Sequence, residues 1–262
     1  LESVRTLESL VAVLERKGDH TRPGRSWIVT DRLLQFLPDL PERAVLHRTG
    51  VMEVTAGQAV RAVPLSRPDL VVERTEVMRH LRDRATAEGV TLVEGVDVRE
   101  IRAGSSGLVV EALDRSDGAE RRFLARDLVG ADGVASTVAT RFGAGRQKAV
   151  PVVQASVSLP DGYDPNVTRV WFDRDGTRFF FWLIPCSAET GVLGWVAESS
   201  TDGRRPLERL IGERGMDVLG WEGAMIPLHR PRRRIEWRVG SSRVLLVGDA
   251  AAHVKVTTVG GL

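Results

Sequence analysis

Three apolar runs in this chain each deliver a carboxylate at their carboxyl end. Leu10-Val11-Ala12-Val13-Leu14 leads into Glu15-Arg16, Leu128-Val129-Gly130-Ala131 into Asp132-Gly133, and Val244-Leu245-Leu246-Val247-Gly248 into Asp249. Open α/β sheets bind ligands outside the carboxyl ends of their strands. An acid there accepts hydrogen bonds from sugar hydroxyls. A glycine beside it lets the backbone come close, and the amides of a following helix face a phosphate. A single Asp-Gly after a strand is usually just a turn. Three acids in this order point to a nucleotide-type cofactor.

A second constellation is the run Phe180-Phe181-Trp182-Leu183-Ile184-Pro185. In a strand, Phe180, Trp182 and Ile184 share one face. That face either lines an apolar pocket or is ordinary sheet core. His253 and Lys255 follow closely on Asp249. His253 is a candidate acid–base group or a helix-start residue bonded to backbone. Lys255 is a candidate partner for a developing negative charge or a solvated side chain. Other chemistries find no pattern. His20, His47, His80 and His229 lack metal-ligand spacing, and Ser136 has no Gly-x-Ser-x-Gly context. One cysteine, Cys186, excludes an intramolecular disulfide framework and a multi-thiolate metal site.

The elements that must position these residues alternate in type. Leu10–Leu14 reads as a parallel strand buried on both faces. Asp31–Leu40 reads as a short helix, and Met52–Thr55 with Val60–Val63 as a hairpin around Ala56-Gly57. Glu73–Glu88 has helical apolar spacing, with Gly89 as its stop. Val90–Val93, Val96–Ile101, Leu108–Leu113 and Phe123–Val129 read as strands. From 150 to 200 the sequence turns strand-rich and alternating, then gives a helix over Pro206–Arg214 and a buried strand over Arg243–Val247.

Composition narrows the class. The chain has 262 residues, 42% hydrophobic and 27% charged, as in ordinary globular proteins. No apolar run approaches the ~18 residues of a membrane span, and the first residues do not resemble a signal peptide, so a cytoplasmic protein without an integral membrane segment is expected. The net charge is only +2, and of 37 basic residues only Lys17, Lys148 and Lys255 are lysines. The cluster Arg230, Arg232, Arg233 and Arg234 has no interleaved aromatics and reads as a solvated turn, with no nucleic-acid partner expected.

Leu128–Val138 resembles the Asp-Gly motif of the flavin-dependent oxidoreductases built like para-hydroxybenzoate hydroxylase, and Arg243–Leu262 resembles their Gly-Asp motif. Gly248–Leu262 is most similar to the version in geranylgeranyl reductases, where the Lys precedes Pro, two Thr and a glycine run. Ile226-Pro227 also matches that family. The Phe180–Pro185 box resembles the aromatic-x-Trp-x-Phe-Pro of geranylgeranyl reductases and the Trp-x-Trp-x-Ile-Pro of flavin-dependent halogenases.

The resemblance implies an α/β (α+β) chain. A Rossmann-like FAD-binding domain over 1–50, 70–145 and 240–262 would carry an inserted, mostly antiparallel substrate domain over 51–69 and 146–239. It places Glu15 and Arg16 at the adenosine ribose, Asp132 and Gly133 at the diphosphate region, and Asp249 at the ribityl chain. Backbone amides near Gly260 and Gly261 would face the isoalloxazine. Arg74 would contact FAD, and Val98 would offer backbone atoms to adenine. Phe180, Trp182 and Ile184 would line the substrate pocket, with His253 and Lys255 as catalytic candidates.

The implied function is an FAD-dependent oxidoreductase that reduces or hydroxylates a small apolar or aromatic metabolite, its flavin reduced by NAD(P)H. The competing reading is a binding or structural protein that keeps the fold without the cofactor. Departures support it: no Gly-x-Gly-x-x-Gly turn precedes Glu15, Val256 replaces a Pro and Val259 a Gly; Ala139, in place of an Arg, is a further departure from the family pattern. The absent turn is the mark expected of a sequence that is part of a longer chain. Halogenation is not expected, because that family needs a lysine between flavin and substrate and residues 18–147 contain none. The sequence leaves substrate identity and oligomeric state open.

Overall fold

The structure, a computed structural model, describes residues 11–17, 26–173, 176–199, 201, 203–228, 232 and 234–255. Its elements begin with β1 (Ala12–Glu15), β2 (Ser26–Val29), α1 (Leu33–Phe36), β3 (Val45–Ala56), β4 (Ala59–Glu73) and α2 (Arg74–Ala87). Then come β5 (Thr91–Glu94), β6 (Val96–Gly104), β7 (Gly107–Asp114), β8 (Glu120–Ala125), β9 (Asp127–Gly130) and α3 (Thr137–Arg141). The chain continues with β10 (Ala149–Ser158), β11 (Val167–Phe172), β12 (Phe181–Pro185), β13 (Thr190–Val196) and α4 (Arg205–Arg214). It closes with β14 (Val218–Pro227), β15 (Glu236–Val239) and β16 (Ser242–Leu246). The mixed α+β class agrees with the sequence reading.

Packing divides the chain into two compact units. One comprises Leu1–Asp19, Asp83–Ala149 and Ile226–Leu262, the other His20–Arg82 and Val150–Met225. The sequence grouping puts 20–50 and 70–82 with the first set, and 146–149 and 226–239 with the second. In the structure β2, β3 and the end of β4 hydrogen-bond into the sheet of the second unit.

In the first unit β1 pairs in parallel with β5, and β9 pairs in parallel with β16, whose other edge carries β15. β6, β7 and β8 form an antiparallel meander. The core gathers Ile101, Leu108, Val110, Val138, Val244 and Leu246. At the start of the parallel pair, Arg243 Nε donates to Asp127 Oδ1 at 3.1 Å, which holds the Asp127 carboxyl below the usual carboxylate range. The strands read as buried on both faces are only partly covered among the described residues. Val13 is 45% exposed and Val129 57%, whereas Val244 and Leu246 are fully buried.

The second unit holds an eight-stranded sheet in the order β14-β10-β13-β12-β11-β3-β4-β2. β3 and β11 run parallel, while β10 with β13, β13 with β12, β12 with β11, and β4 with both β3 and β2 run antiparallel. The side chains Leu207 and Ile211 of α4 pack with Ala155, Val157, Leu183, Leu193 and Trp195 on one face of this sheet. Gly215, left-handed at φ +63°, ends α4 as a Cβ-bearing residue would do only under strain.

Several elements differ from the sequence reading: β2 and β15 have no counterpart in it, β3 and β4 run well beyond the hairpin expected over 52–63, and three more differences have a plain local reason. The helix expected over Asp31–Leu40 shrinks to the single turn of α1, because Leu37 precedes Pro38 and sits at φ −127°, ψ 69°. The strand expected over Phe123–Val129 splits into β8 and β9, which join different sheets. β14 is not legible in the sequence, since Gly220 and Gly223 interrupt its apolar pattern.

Candidate cofactor loops and substrate face

The parallel register of β9 and β16 brings two of the three acid-bearing loops together. Gly130 pairs with Leu246, and the Val247 N–H donates to the Gly130 carbonyl at 3.0 Å. A Cβ on Gly130 would lie 2.8 Å from both Leu246 Cδ2 and Val138 Cβ, so only glycine lets α3 close onto the strand. Asp132 then closes its own loop. Its Oδ1 accepts the Ser136 hydroxyl at 2.5 Å and its Oδ2 the Val138 N–H at 3.1 Å. Ser136 Oγ in turn accepts the Ala139 N–H at 2.9 Å and caps α3. Asp132 therefore offers a ligand the shape of a loop, with its carboxylate engaged internally. The sequence reading weighs Ser136 only as a nucleophile and misses this cap, whose signal is a serine at a helix start.

On the neighbouring loop, Gly248–Ala251 form a single 3-10 turn. Burial raises the Asp249 carboxyl above the usual carboxylate range. Gly133 and Gly248 both have positive φ (+76° and +57°), and a Cβ at either would meet nothing within 4 Å. Both backbones are thus open to close approach by a ligand. His253 donates its backbone N–H to the Gly248 carbonyl at 3.0 Å, and its side chain is exposed. Lys255 is exposed as well. Gly260 and Gly261 lie outside the described residues.

The third acid stands on a separate two-stranded sheet. Glu15 pairs with Glu94 across β1 and β5, and its Oε1 accepts the Lys17 N–H at 2.8 Å. Arg16 is exposed. β1 has no hydrogen-bonded register with β9 or β16 among the described residues, although Leu14 packs against the same core. Val98 also packs there, beside a register shift between Val98 and Glu100. Arg74 belongs to the second unit, where its guanidinium lies 5.3 Å from the Trp27 ring centroid. Glu73 accepts the Glu76 N–H at 2.7 Å at the start of the same helix.

The aromatic run separates cleanly by face. Phe181, Leu183 and Pro185 are buried, Phe181 and Leu183 within the core under α4, while Phe180, Trp182 and Ile184 are half-buried on the opposite side. The core reading of these three is therefore not met. Phe180 sits 5.7 Å from Trp182 and 6.0 Å from Phe172, ring centroid to centroid. The Trp182 indole lies on Gly194, where an added Cβ would come within 2.2 Å of its Cζ2. A polar pair stands on the neighbouring strands, Gln154 Nε2 donating to Glu222 Oε2 at 2.9 Å.

The described residues contain no group of three or more metal-ligating side chains, and no described helix is long and apolar enough to cross a membrane. Among curated proteins the chain is 26% identical over 265 residues to the chloroplastic geranylgeranyl diphosphate reductase of Oryza sativa subsp. japonica, covering 92% of this chain and 56% of that protein. It is 29% identical over 254 residues to the geranylgeranyl diphosphate reductase of Rhodobacter capsulatus, covering 93% and 63%. The chain thus spans less than two thirds of the length of these relatives.

Among solved structures, a geranylgeranyl bacteriochlorophyll reductase-like protein of Thermoplasma acidophilum superposes with a TM-score of 0.80 at 15% identity, over 95% of this chain and 66% of that one. Aklavinone-11 hydroxylase, solved with FAD and aklavinone, gives 0.67 at 17% identity over 92% and 52%. At such identities the likeness speaks for the fold. A sequence model of the FAD binding domain, however, matches residues 9–262, nearly the whole chain, and on that match the chain belongs to the FAD binding domain family.

Proposed function

We propose that this chain is the cofactor-binding and substrate-facing part of an FAD-dependent oxidoreductase that reduces or hydroxylates a small apolar or aromatic metabolite. The observation that carries this reading is the pair of glycine–acid loops at the carboxyl ends of β9 and β16, in a chain matched by the FAD binding domain along residues 9–262. The residues fit the cofactor. Gly133 and Gly248 leave open backbone where a Cβ would stand, and Asp249 keeps a half-buried carboxyl with no hydrogen-bond partner among the described residues.

In this reading the Asp132-Gly133 loop faces the diphosphate, Asp249 accepts from ribityl hydroxyls, and Glu15 accepts from the adenosine ribose. Arg16, Val98, Arg74 and the backbone near Gly260 and Gly261 are the further cofactor contacts. Bound FAD supplies hydride transfer or oxygen chemistry, with NAD(P)H as the external reductant. The chain itself binds, orients and excludes water. Phe180, Trp182 and Ile184 present a half-buried apolar face suited to an isoprenoid chain or an aromatic ring. His253 and Lys255, both exposed beside the Asp249 loop, are the candidates for moving a proton and holding negative charge. The reductase relatives favour reduction of a carbon–carbon double bond, while the lack of any lysine over 18–147 disfavours halogenation.

The test uses the full-length protein. FAD titration followed by flavin fluorescence quenching is expected to show stoichiometric uptake, and NAD(P)H without oxygen is expected to bleach the bound flavin. Polyprenyl and aromatic substrates are then compared with and without oxygen. A protein that takes up no FAD overturns the reading. Trp182→Ala is expected to raise KM by about tenfold, as for loss of a well-packed apolar contact, with FAD affinity unchanged. Loss of FAD affinity along with substrate binding would remove Trp182 from the substrate face.

A further inference from the structure

Gln147 lies between α3 and β10, in no motif. Its Nε2 donates to the Asp249 carbonyl at 2.5 Å and to the Val134 carbonyl at 3.3 Å. One side-chain amide therefore ties the loop of Asp132-Gly133 to the loop of Gly248-Asp249. Two carbonyl acceptors fix its orientation, since only the NH2 end can face them. That orientation leaves Gln147 Oε1 buried without a hydrogen-bond partner among the described residues. A buried orphan acceptor costs free energy that an apolar side chain of the same length would not. The two loop carbonyls are what the amide holds in return. The segment is anchored from its other end too, because Arg232 donates to the Ala144 carbonyl at 2.6 Å and the Gly145 carbonyl at 3.2 Å.

The direction of the Asp249 peptide follows from this contact. The same carbonyl accepts the Ala252 N–H at 3.1 Å. In a trans peptide the C=O and the next N–H point to opposite sides. Drawing the Asp249 carbonyl toward Gln147 therefore aims the Ala250 N–H away from it. We propose that Gln147 is a positioning residue for the cofactor: it locks the Asp249 loop against the Asp132 loop, so that FAD meets two loops already in register. The proposal rests on the FAD reading above, and it assigns Gln147 no contact with FAD.

The experiment compares full-length wild type, Gln147→Met, Asp249→Asn and the double variant. Gln147→Met keeps the length and removes the donors. Its FAD affinity is expected to fall about tenfold, as for loss of buried hydrogen bonds that order a site. In the cofactor-free protein, amide hydrogen exchange is expected to quicken over 248–254 and stay unchanged over 242–246. In the double variant the two losses of affinity are expected to combine to less than their product, because both act through one loop.

Wild-type affinity in Gln147→Met overturns the proposal, as do multiplicative losses or faster exchange across the whole chain. If Gln147→Met gives no folded protein, Gln147→Glu, of the same shape without the NH2 donors, replaces it under the same criteria. Failure of both to fold makes Gln147 a folding residue and overturns the proposal too. A wild type that takes up no FAD brings down the functional reading and this inference together; a wild type that binds while Gln147→Met binds equally well brings down this inference alone.

Discussion

At the end of β9, Asp132 gives both carboxylate oxygens to its own loop, one to Ser136 and one to the Val138 amide. At the end of the adjoining β16, Asp249 keeps its carboxyl half-buried, raised in pKa by burial and with no hydrogen-bond partner among the described residues. The two strands share a parallel register, and the two acids look alike in sequence. Their environments divide the work. Asp132 shapes a loop and starts a helix, whereas the Asp249 carboxyl is left without such a partner among the described residues. A partly desolvated acceptor without a protein partner gains when a donor arrives.

The largest expected effect tests the ligand half of this contrast. Asp249→Ala is expected to lower FAD affinity by about tenfold to a hundredfold, the range for a lost hydrogen bond to a charged group, with the urea midpoint of the cofactor-free protein undiminished. A fall in that midpoint matching the fall in affinity would make Asp249 a structural acid like Asp132.

A smaller effect tests the other half. Ser136→Ala removes the hydroxyl that donates to Asp132 and caps α3. The expected loss is about 1 kcal/mol of folding stability, read from urea unfolding without cofactor. FAD affinity at temperatures well below unfolding is expected to change less than it does in Asp249→Ala.

The smallest effect concerns pH. A carboxyl whose pKa is raised in the folded state binds more protons folded than unfolded. Folding stability from this group is therefore fully present below the ordinary carboxylate pKa and lost as pH rises toward its raised value. Asp249→Asn removes that loss. The cofactor-free variant is expected to gain stability relative to wild type as pH climbs through this window, with a plateau above it. Urea midpoints measured across the window check the sign, and a variant that loses stability as pH rises would show that Asp249 has a cationic partner.

Much of this was legible in the residues. Glycine next to an acid after an apolar run marked both loops, and the alternation put Phe180, Trp182 and Ile184 on one sheet face without saying whether that face is covered, because side-chain period and turn chemistry are local. What stayed hidden is long-range. Nothing near Gln147 in the chain announces that its amide reaches a loop as distant in sequence as Asp249. The exposure of Val13 and Val129 depends on what covers a strand, which an apolar run does not state. The placement of β2 to β4 in the second unit depends on hydrogen-bond partners such as β11, far along the chain.

The indole lying on Gly194 has an optical consequence. Of the six tryptophans, Trp27, Trp171, Trp221 and Trp237 each lie under an arginine, and Trp195 is buried and stacked on Phe181. Trp182 alone has neither an arginine lid nor full burial, and its ring is propped flat by the missing Cβ beneath it. Its emission therefore reports on the medium above that face of the sheet. An apolar molecule settling there would shift that emission to the blue, giving the protein a built-in fluorescent report of occupancy at this face.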